Sequence, residues 1–133
     1  MTKITTIGIA GATGYAGQEL IRLAARHPGI RITTAMGSGE TEGIRSIPAL
    51  SRLWEGEVTP LSIEQLASKA EAVFLALPDS VAATVGPELI ERGVRVFDLS
   101  GAFRLQNPKQ RTRWYPATPT LTEPVVYGLT ELN

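Results

Sequence analysis

Short apolar runs alternate along this chain with stretches of helical periodicity. Residues 4–10, 72–77 and 94–99 are almost continuously apolar or β-branched, which is typical of strands buried on both faces of a parallel sheet. Residues 30–36 predict a further strand. Shorter candidates lie at 58–61 and, more weakly, at 125–129.

The first helix is predicted to follow the first strand. Small and apolar residues fall on one stripe at Ala16, Leu20, Leu23 and Ala24, which is the spacing of an amphipathic helix. The segment His27-Pro28-Gly29 ends it, because proline cannot continue a helix and glycine permits the exit turn.

Three further helices are predicted from their start and stop signals. Ser62 with Gln65 three residues later is a capping box for a helix over 62–70. Asp79 is expected to cap the next helix, with a break at Gly86-Pro87. Asn107-Pro108 supplies a cap and a first-turn proline for a short helix ending near Tyr115.

Strands that alternate with helices indicate a Rossmann-type, doubly wound α/β fold, with a mainly parallel sheet and helices on both faces. The length of 133 residues fits one domain, so residues 1–133 are predicted to form a single nucleotide-binding domain. Ligands of such sheets bind beyond the carboxyl ends of the strands. Here those ends are followed by Gly11, Gly37, Pro78 and Ser100.

Composition narrows the classes of function. Lys plus Arg equals Asp plus Glu at 13 each, which argues against a nucleic-acid partner. The chain has no cysteine and its only histidine is His27, so no metal site is predicted. With neither a signal-peptide pattern nor a membrane-spanning apolar run, we expect a cytoplasmic protein without a membrane partner.

The glycine-rich turn between the first strand and the first helix has the character of a phosphate loop. Gly11 suits a tight turn, Gly14 lets backbone N–H groups approach a pyrophosphate, and Gly17 allows close packing of the helix. A strand-to-helix turn that is glycine-rich without a ligand remains the alternative. The predicted cofactor-binding residues of this loop are Gly11, Thr13, Gly14, Tyr15, Ala16 and Gly17, with helix-start packing as the alternative for Tyr15.

The end of the second strand bears on the choice of dinucleotide. NAD-binding domains usually carry an acid there for the ribose 2′-hydroxyl, whereas the first acid here is Glu40, beyond two glycines. Ser38 and Arg45 could instead hold a 2′-phosphate, and the pattern favours NADP (NADPH). Plain surface solvation is an equal interpretation of Arg45.

Four motifs stand in order along the chain: GIAGATGYAGQEL at 8–20, VFLALP at 73–78, FDLSGAFR at 97–104 and VYGLTELN at 126–133. Together they resemble the N-terminal part of the N-acetyl-gamma-glutamyl-phosphate reductase family, which is related to aspartate-semialdehyde dehydrogenase. The resemblance implies NADPH-dependent reduction of N-acetylglutamyl phosphate to the semialdehyde, with phosphate release, in arginine biosynthesis.

The resemblance also implies roles for residues at the ligand edge. Leu77 and Pro78 are expected to border the nicotinamide, as are Ser100 and Gly101 after the next strand. Arg104 is similar to an arginine that holds the substrate phosphate, and a structural ion pair is its alternative. Many relatives carry an acid where this chain has Ala102.

The family's catalytic cysteine and histidine lie beyond the segments that this chain matches. We therefore expect a cofactor-binding part without catalytic residues of its own, inactive alone and homo-oligomeric when joined to the catalytic and dimerisation domain. Two alternatives remain: a freestanding dinucleotide-binding module without catalysis, and a reductase of another acyl phosphate, either aspartyl or carrier-linked aminoadipyl.

Overall fold

The computed structural model describes residues 3–40 and 43–128 and shows five strands and four α-helices. The strands are β1 (Thr5–Ala10), β2 (Ile30–Met36), β3 (Val58–Thr59), β4 (Ala72–Leu75) and β5 (Arg95–Asp98). The helices are α1 (Tyr15–Ala24), α2 (Ile63–Lys69), α3 (Asp79–Glu91) and α4 (Pro108–Trp114), with a 3-10 turn at Pro48–Leu50.

The five strands form one sheet in the order β3-β2-β1-β4-β5, and all four strand pairs are parallel. The predicted Rossmann-type sheet is therefore confirmed. The strand order reverses beside β1, where the chain leaves β3 at one edge and returns as β4 on the other side of β1. In an open parallel sheet, this reversal opens a crevice for ligands at the carboxyl ends of the strands.

Alternate residues along each central strand pack into two separate hydrophobic cores. Ile7 and Ile9 of β1 pack with α1 and with the segment around the 3-10 turn, whereas Ala10 packs with α2 and α3. Val73 and Leu75 of β4 join the second core. This period-2 division is what a sheet covered on both faces requires, so the predicted helices on both faces are confirmed.

The start and stop signals placed most helices correctly. Asn107 caps α4 by accepting hydrogen bonds from the N–H groups of Lys109 and Gln110 at 3.0 and 3.2 Å. Ser62 caps α2, with its Oγ accepting from the Gln65 N–H at 3.3 Å.

The segment from Pro78 to Glu91 differs from the prediction in two ways. Asp79 is the first residue of α3 rather than its cap, and its carboxylate accepts a hydrogen bond from the Gly101 N–H. The helix also runs without a break through Gly86-Pro87. The residue before a proline is normally driven out of helix by its own Cβ, and Gly86 has none, which relieves that clash.

The segment from 94 to 99 is a strand only over β5, and it is not buried on both faces as predicted. Phe97 stacks on Phe74 with ring centroids 4.9 Å apart, yet it is 45% exposed. Because α1 packs over β1 and β2 on this face, the edge strand β5 stays partly open. Residues 125–128 form no strand, and Leu129 lies outside the described residues. No helix in the described part of the chain has the length and hydropathy to cross a membrane.

Candidate functional site

The loop between β1 and α1 is pinned to the ends of both neighbouring strands. The N–H groups of Gly11 and Ala12 both donate to the Met36 carbonyl at 2.9 Å. On the other side, a Cβ at Gly11 would overlap the Ala76 carbonyl, and Gly11 has a φ of +83°. Only glycine fits this position, because both the space and the backbone conformation exclude a side chain.

Gly17 lets α1 begin directly against this loop. A Cβ on Gly17 would overlap the Gly11 carbonyl oxygen. The loop is closed from the other side by Gln18, whose Nε2 donates to the Thr13 carbonyl at 2.8 Å. This role of Gln18 was not predicted from the sequence, because an amide that bonds a carbonyl five residues earlier leaves no recognisable pattern.

Gly14 stands in a different environment from Gly11 and Gly17. It is exposed, its φ and ψ are −75° and 170°, and a Cβ added there would meet only the Gly11 carbonyl oxygen, at 3.6 Å. The glycine is therefore not required by packing. Its missing Cβ leaves open space over the start of α1, where a ligand could contact the backbone.

The start of α1 differs from the starts of the other three α-helices in the described chain. It has neither a side chain that caps its N–H groups nor an acidic residue in its first turn. By contrast, Ser62 and Asn107 cap α2 and α4, and Asp79 occupies the first turn of α3. The first N–H groups of a helix carry partial positive charge, so an uncapped start favours an anion.

Tyr15 and Ala16 project from this helix start into solvent. Tyr15 is 99% exposed, so the alternative that its ring packs at the helix start is wrong for this chain. Its exposed ring lies instead beside Gly14, at the carboxyl edge of the sheet.

A cavity of about 360 Å³ opens beside the loop that follows β2. Ser38 and Glu40 line it from that loop, and α3 forms the opposite wall. The α3 side chains that line it were not singled out from the sequence, because only the sheet order brings α3 next to the end of β2. They are Ser80, Val81, Thr84, Val85 and Glu88.

Arg45 lies at the outer side of β3. Its backbone forms an antiparallel bridge with Val58, through hydrogen bonds of 3.0 and 2.7 Å. Val58 in turn pairs with Ala35 near the end of β2. Arg45 is thus two strand spacings from β2, roughly 10 Å, at the level where β2 ends.

The loops after β4 and β5 meet at the same edge. Leu77 is buried and Pro78 is exposed, and the Ala76 N–H donates to the Ala10 carbonyl at 2.9 Å. Gly101 is buried beneath Tyr115, whose hydroxyl a Cβ at Gly101 would overlap. The structure therefore brings these predicted residues to the edge where the phosphate loop also ends.

Ser100 and Arg104 occupy the loop after β5 in different ways. The Ser100 hydroxyl donates to Asp98 Oδ2 at 2.9 Å, so its proton is used within the chain. Arg104 is exposed, and its Cζ lies 6.0 Å from the centre of the Tyr127 ring. Among the described residues Arg104 forms no ion pair, so its guanidinium can reach a ligand.

The large aromatic residues divide between core and surface. Trp54 packs against the core under α1. Trp114 is instead 62% exposed at the end of α4, with the Arg113 guanidinium 5.1 Å from its ring. Across residues 3–40 and 43–128, no three His, Asp or Glu side chains lie close enough together to hold a metal ion.

The chain matches a known protein family. Residues 6–133 match the family described as semialdehyde dehydrogenase, NAD binding domain. The chain belongs to this family. A semialdehyde dehydrogenase NAD-binding domain holds a nicotinamide dinucleotide, the class of cofactor predicted from the glycine loop.

Full-length relatives carry a more specific name. The chain is 42% identical to an N-acetyl-gamma-glutamyl-phosphate reductase of Brevibacillus brevis over 132 residues, which is 96% of this chain and 38% of that protein. It is 41% identical to the reductase of the same name from Halorhodospira halophila, with the same coverage. The chain thus spans a little over a third of the length of these relatives.

Solved structures agree on the fold. The chain is similar to aspartate semialdehyde dehydrogenase with NADP from Candida albicans, with a TM-score of 0.62 and 22% identity over 78% of this chain and 32% of that one. It is also similar to aspartate semialdehyde dehydrogenase II from Vibrio cholerae, with a TM-score of 0.60 and 20% identity over 79% of this chain and 30% of that one.

Proposed function

We propose that this chain is the NADP(H)-binding part of a reductase that converts N-acetyl-gamma-glutamyl phosphate to its semialdehyde. The observation that supports this most strongly is the uncapped start of α1 under Gly14, where open space meets unshielded backbone N–H groups. A pyrophosphate is the anion that such a helix start suits in a Rossmann-type sheet.

The remaining parts of the cofactor fit the rest of the edge. The cavity of about 360 Å³ beside Ser38 offers apolar walls and hydroxyl groups for the adenosine end, and the carboxylates of Glu40 and Glu88 also line it. Ser38 and Arg45 would hold the 2′-phosphate, which is the basis for preferring NADP over NAD. Leu77, Pro78, Ser100 and Gly101 would border the nicotinamide end, across the strand reversal between β1 and β4.

When bound, the cofactor supplies a hydride to the acyl carbon. The part of this chain in that reaction is to hold and orient. Thr13, Gly14, Tyr15 and Ala16 would fix the pyrophosphate, and the exposed Arg104 guanidinium would hold the phosphate of the substrate, which it can bind in a bidentate manner.

The nucleophile is not supplied by these 133 residues, since they include no cysteine. A second candidate function is a dinucleotide-binding module without catalysis. A reductase of an aspartyl or carrier-linked aminoadipyl phosphate would use the same edge. The proposed reductase is cytoplasmic and assembles as a homo-oligomer.

Gly14→Ala tests the proposed function. Its backbone angles suit alanine, so the urea midpoint should stay that of the wild type. The new Cβ would stand where the pyrophosphate contacts the backbone, so the Kd for NADPH should rise about tenfold or more. Gly128→Ala is the matched control, because nothing lies within 4 Å of a Cβ there.

The measurement is calorimetric titration with NADPH and with NADH. The proposal expects tighter binding of NADPH than of NADH by the wild type, and wild-type affinity in Gly128→Ala. Unchanged NADPH affinity in Gly14→Ala would contradict the proposed pyrophosphate site. Turnover of N-acetylglutamyl phosphate by the whole gene product then separates the reductase from the binding module.

A further inference from the structure

The loop after β5, residues 99–104, uses its own backbone donors internally, and we call it the Arg104 loop. The Ser100 N–H donates to Asp98 Oδ1 at 2.9 Å, and the Ala102 N–H donates to Ser100 Oγ at 3.1 Å. The Arg104 N–H donates to the Gly101 carbonyl at 3.1 Å. These amides are not available to an anion, so phosphate binding here depends on the Arg104 side chain.

Two backbone donors of the Arg104 loop are bound by residues distant in sequence. The Leu99 N–H donates to the Leu75 carbonyl at 2.9 Å. The Gly101 N–H donates to Asp79 Oδ1 at 2.6 Å, across 22 residues of sequence. Asp79 is the first residue of α3 and directly follows Leu77-Pro78, the segment proposed to border the nicotinamide. This hydrogen bond therefore connects the cofactor edge to the Arg104 loop. A hydrogen bond to a carboxylate is among the stronger ones in proteins.

Helix α3 also supports the Arg104 loop by packing. Ala102 is fully buried in the core that α3 shares with β4. Phe103 lies over Gly86 so closely that a Cβ there would come within 3.3 Å of its ring. The Arg104 loop thus contacts α3 at two places. One is Asp79, the first residue of the helix, and the other is Gly86, further along the helix.

The opposite side of the loop is held by the segment that follows α4. The Thr118 hydroxyl donates to the Ala102 carbonyl at 2.7 Å, and the Tyr115 hydroxyl lies over Gly101. These contacts and those with α3 hold the backbone at Gly101 and Ala102 from two sides. The Arg104 side chain branches from the backbone two residues later, so the point from which it extends depends on where Gly101 and Ala102 are held.

We propose that Asp79 is a positioning residue, which fixes the Arg104 loop against α3 and so sets the Arg104 guanidinium relative to the cofactor edge. Asp79 acts through Gly101 and need not touch the substrate. The proposal rests on the proposed function, in which Arg104 holds the substrate phosphate. Loss of the Asp79 carboxylate is expected to weaken substrate binding and to leave the affinity for NADPH unchanged.

The test uses the whole gene product that contains this chain, with variants Asp79→Ala and Asp79→Asn. Asparagine keeps an oxygen that can accept from the Gly101 N–H, whereas alanine removes the acceptor. Glu91→Ala is the matched control, because Glu91 is an exposed carboxylate at the far end of the same helix. The measured quantities are kcat, the KM for N-acetylglutamyl phosphate and the Kd for NADPH.

We expect the KM of Asp79→Ala for the acyl phosphate to rise about tenfold, as the loss of one charge-assisted hydrogen bond would give. The Kd for NADPH should stay within about twofold of the wild type, and Asp79→Asn should recover most of the lost affinity. A general loss of folding would instead change both constants together, and the asparagine variant would not restore them selectively.

Amide hydrogen exchange of the Arg104 loop gives a readout that needs neither cofactor nor substrate. Faster exchange at Gly101 in Asp79→Ala, but not in Glu91→Ala, supports the proposal. Unchanged exchange together with wild-type KM would overturn it while leaving the proposed function intact. A wild-type protein that binds no NADPH and has no turnover would instead overturn the proposed function, and the role of Asp79 with it.

Discussion

Two loops at the same sheet edge are each proposed to face a phosphate, yet they are built in opposite ways. The phosphate loop, residues 11–17, leads into a helix start that no side chain caps. The Arg104 loop uses its amides within the chain, at Ser100, Gly101, Ala102 and Arg104. The phosphate loop also bonds the N–H groups of Gly11, Ala12 and Gly14 within the chain. It therefore offers an anion only the N–H groups that begin α1, whereas the Arg104 loop offers one side chain. Substitutions should affect the two loops differently.

The largest effect is expected where the phosphate loop tolerates no side chain. Gly11→Ala places a Cβ on the Ala76 carbonyl at a φ of +83°, which should lower the free energy of unfolding by about 3 kcal/mol or more. Gly93 has a similar φ of +78° but nothing within 4 Å of a Cβ, so Gly93→Ala should cost only about 1–2 kcal/mol. Urea unfolding measures both.

The pair of glycine variants separates backbone conformation from crowding. Equal destabilisation of the two would mean that the close approach of Ala76 contributes little. The phosphate loop would then be shaped by the positive φ alone.

In the Arg104 loop the large effect should come from the side chain. Arg104→Ala in the whole gene product should raise the KM for the acyl phosphate about 100-fold, because two charged hydrogen bonds are lost. Arg104→Lys should be intermediate, since lysine keeps the charge but not the bidentate geometry. The Kd for NADPH should stay within about twofold.

Arg113→Ala is the control for charge alone, because Arg113 is an exposed cation on nearby α4. Steady-state kinetics at fixed ionic strength compare the variants. If Arg113→Ala raised the KM as much as Arg104→Ala, the phosphate would be attracted by the general basic surface and not by the Arg104 loop.

The smallest effect is expected at the opposite edge of the sheet, where no ligand is proposed. The Thr6 N–H donates to Glu71 Oε2 at 3.0 Å, and this bond, with the nearby Lys3 ammonium, lowers the pKa of Glu71 from 4.5 to about 2. A carboxyl whose pKa falls on folding stabilises the fold above its unfolded pKa. That stability is lost as the pH falls from about 4.5 towards 2.

Glu71→Gln should remove this part of the acid sensitivity without changing NADPH affinity. Urea midpoints between pH 2 and pH 7 should therefore fall less steeply for the variant than for the wild type. Parallel curves would show that the bond from Thr6 is equally strong when Glu71 is protonated.

The sequence was sufficient wherever local chemistry decides structure. The glycine spacing from Gly11 to Gly17, the apolar run at 30–36 and the Asn107 cap each depend on neighbours a few residues apart. Their elements appear in the structure with nearly the predicted bounds. The parallel sheet followed from the alternation of these elements.

Two of the wrong predictions, at Asp79 and at 94–99, depend on distant partners, whereas the one at Pro87 depends on its neighbour. Asp79 has the composition of a cap, but its carboxylate bonds Gly101 instead, 22 residues away. The proline rule predicted a break at Pro87, which the small Gly86 prevents. The apolar run at 94–99 could not show that one face of β5 stays partly open, since that depends on which helix covers it.

The residues of the candidate site also divide into those that were evident from sequence and those that were not. The glycines of the phosphate loop were evident in sequence, because their spacing between a strand and a helix is a recognisable pattern. The α3 wall of the cavity and the contribution of Gln18 were not evident. The α3 wall results from the order of the strands in the sheet. The contribution of Gln18 results from a side chain that bonds back to its own loop.

Backbone amide NMR of the isotope-labelled chain during titration with NADPH tests the central claim most directly. If the start of α1 holds the pyrophosphate, the largest shifts should appear at the amides of Tyr15 and Ala16, saturating at one equivalent. The internally bonded amides of the Arg104 loop should shift much less. Saturable binding without shifts at the start of α1, or no binding at all, would contradict the account.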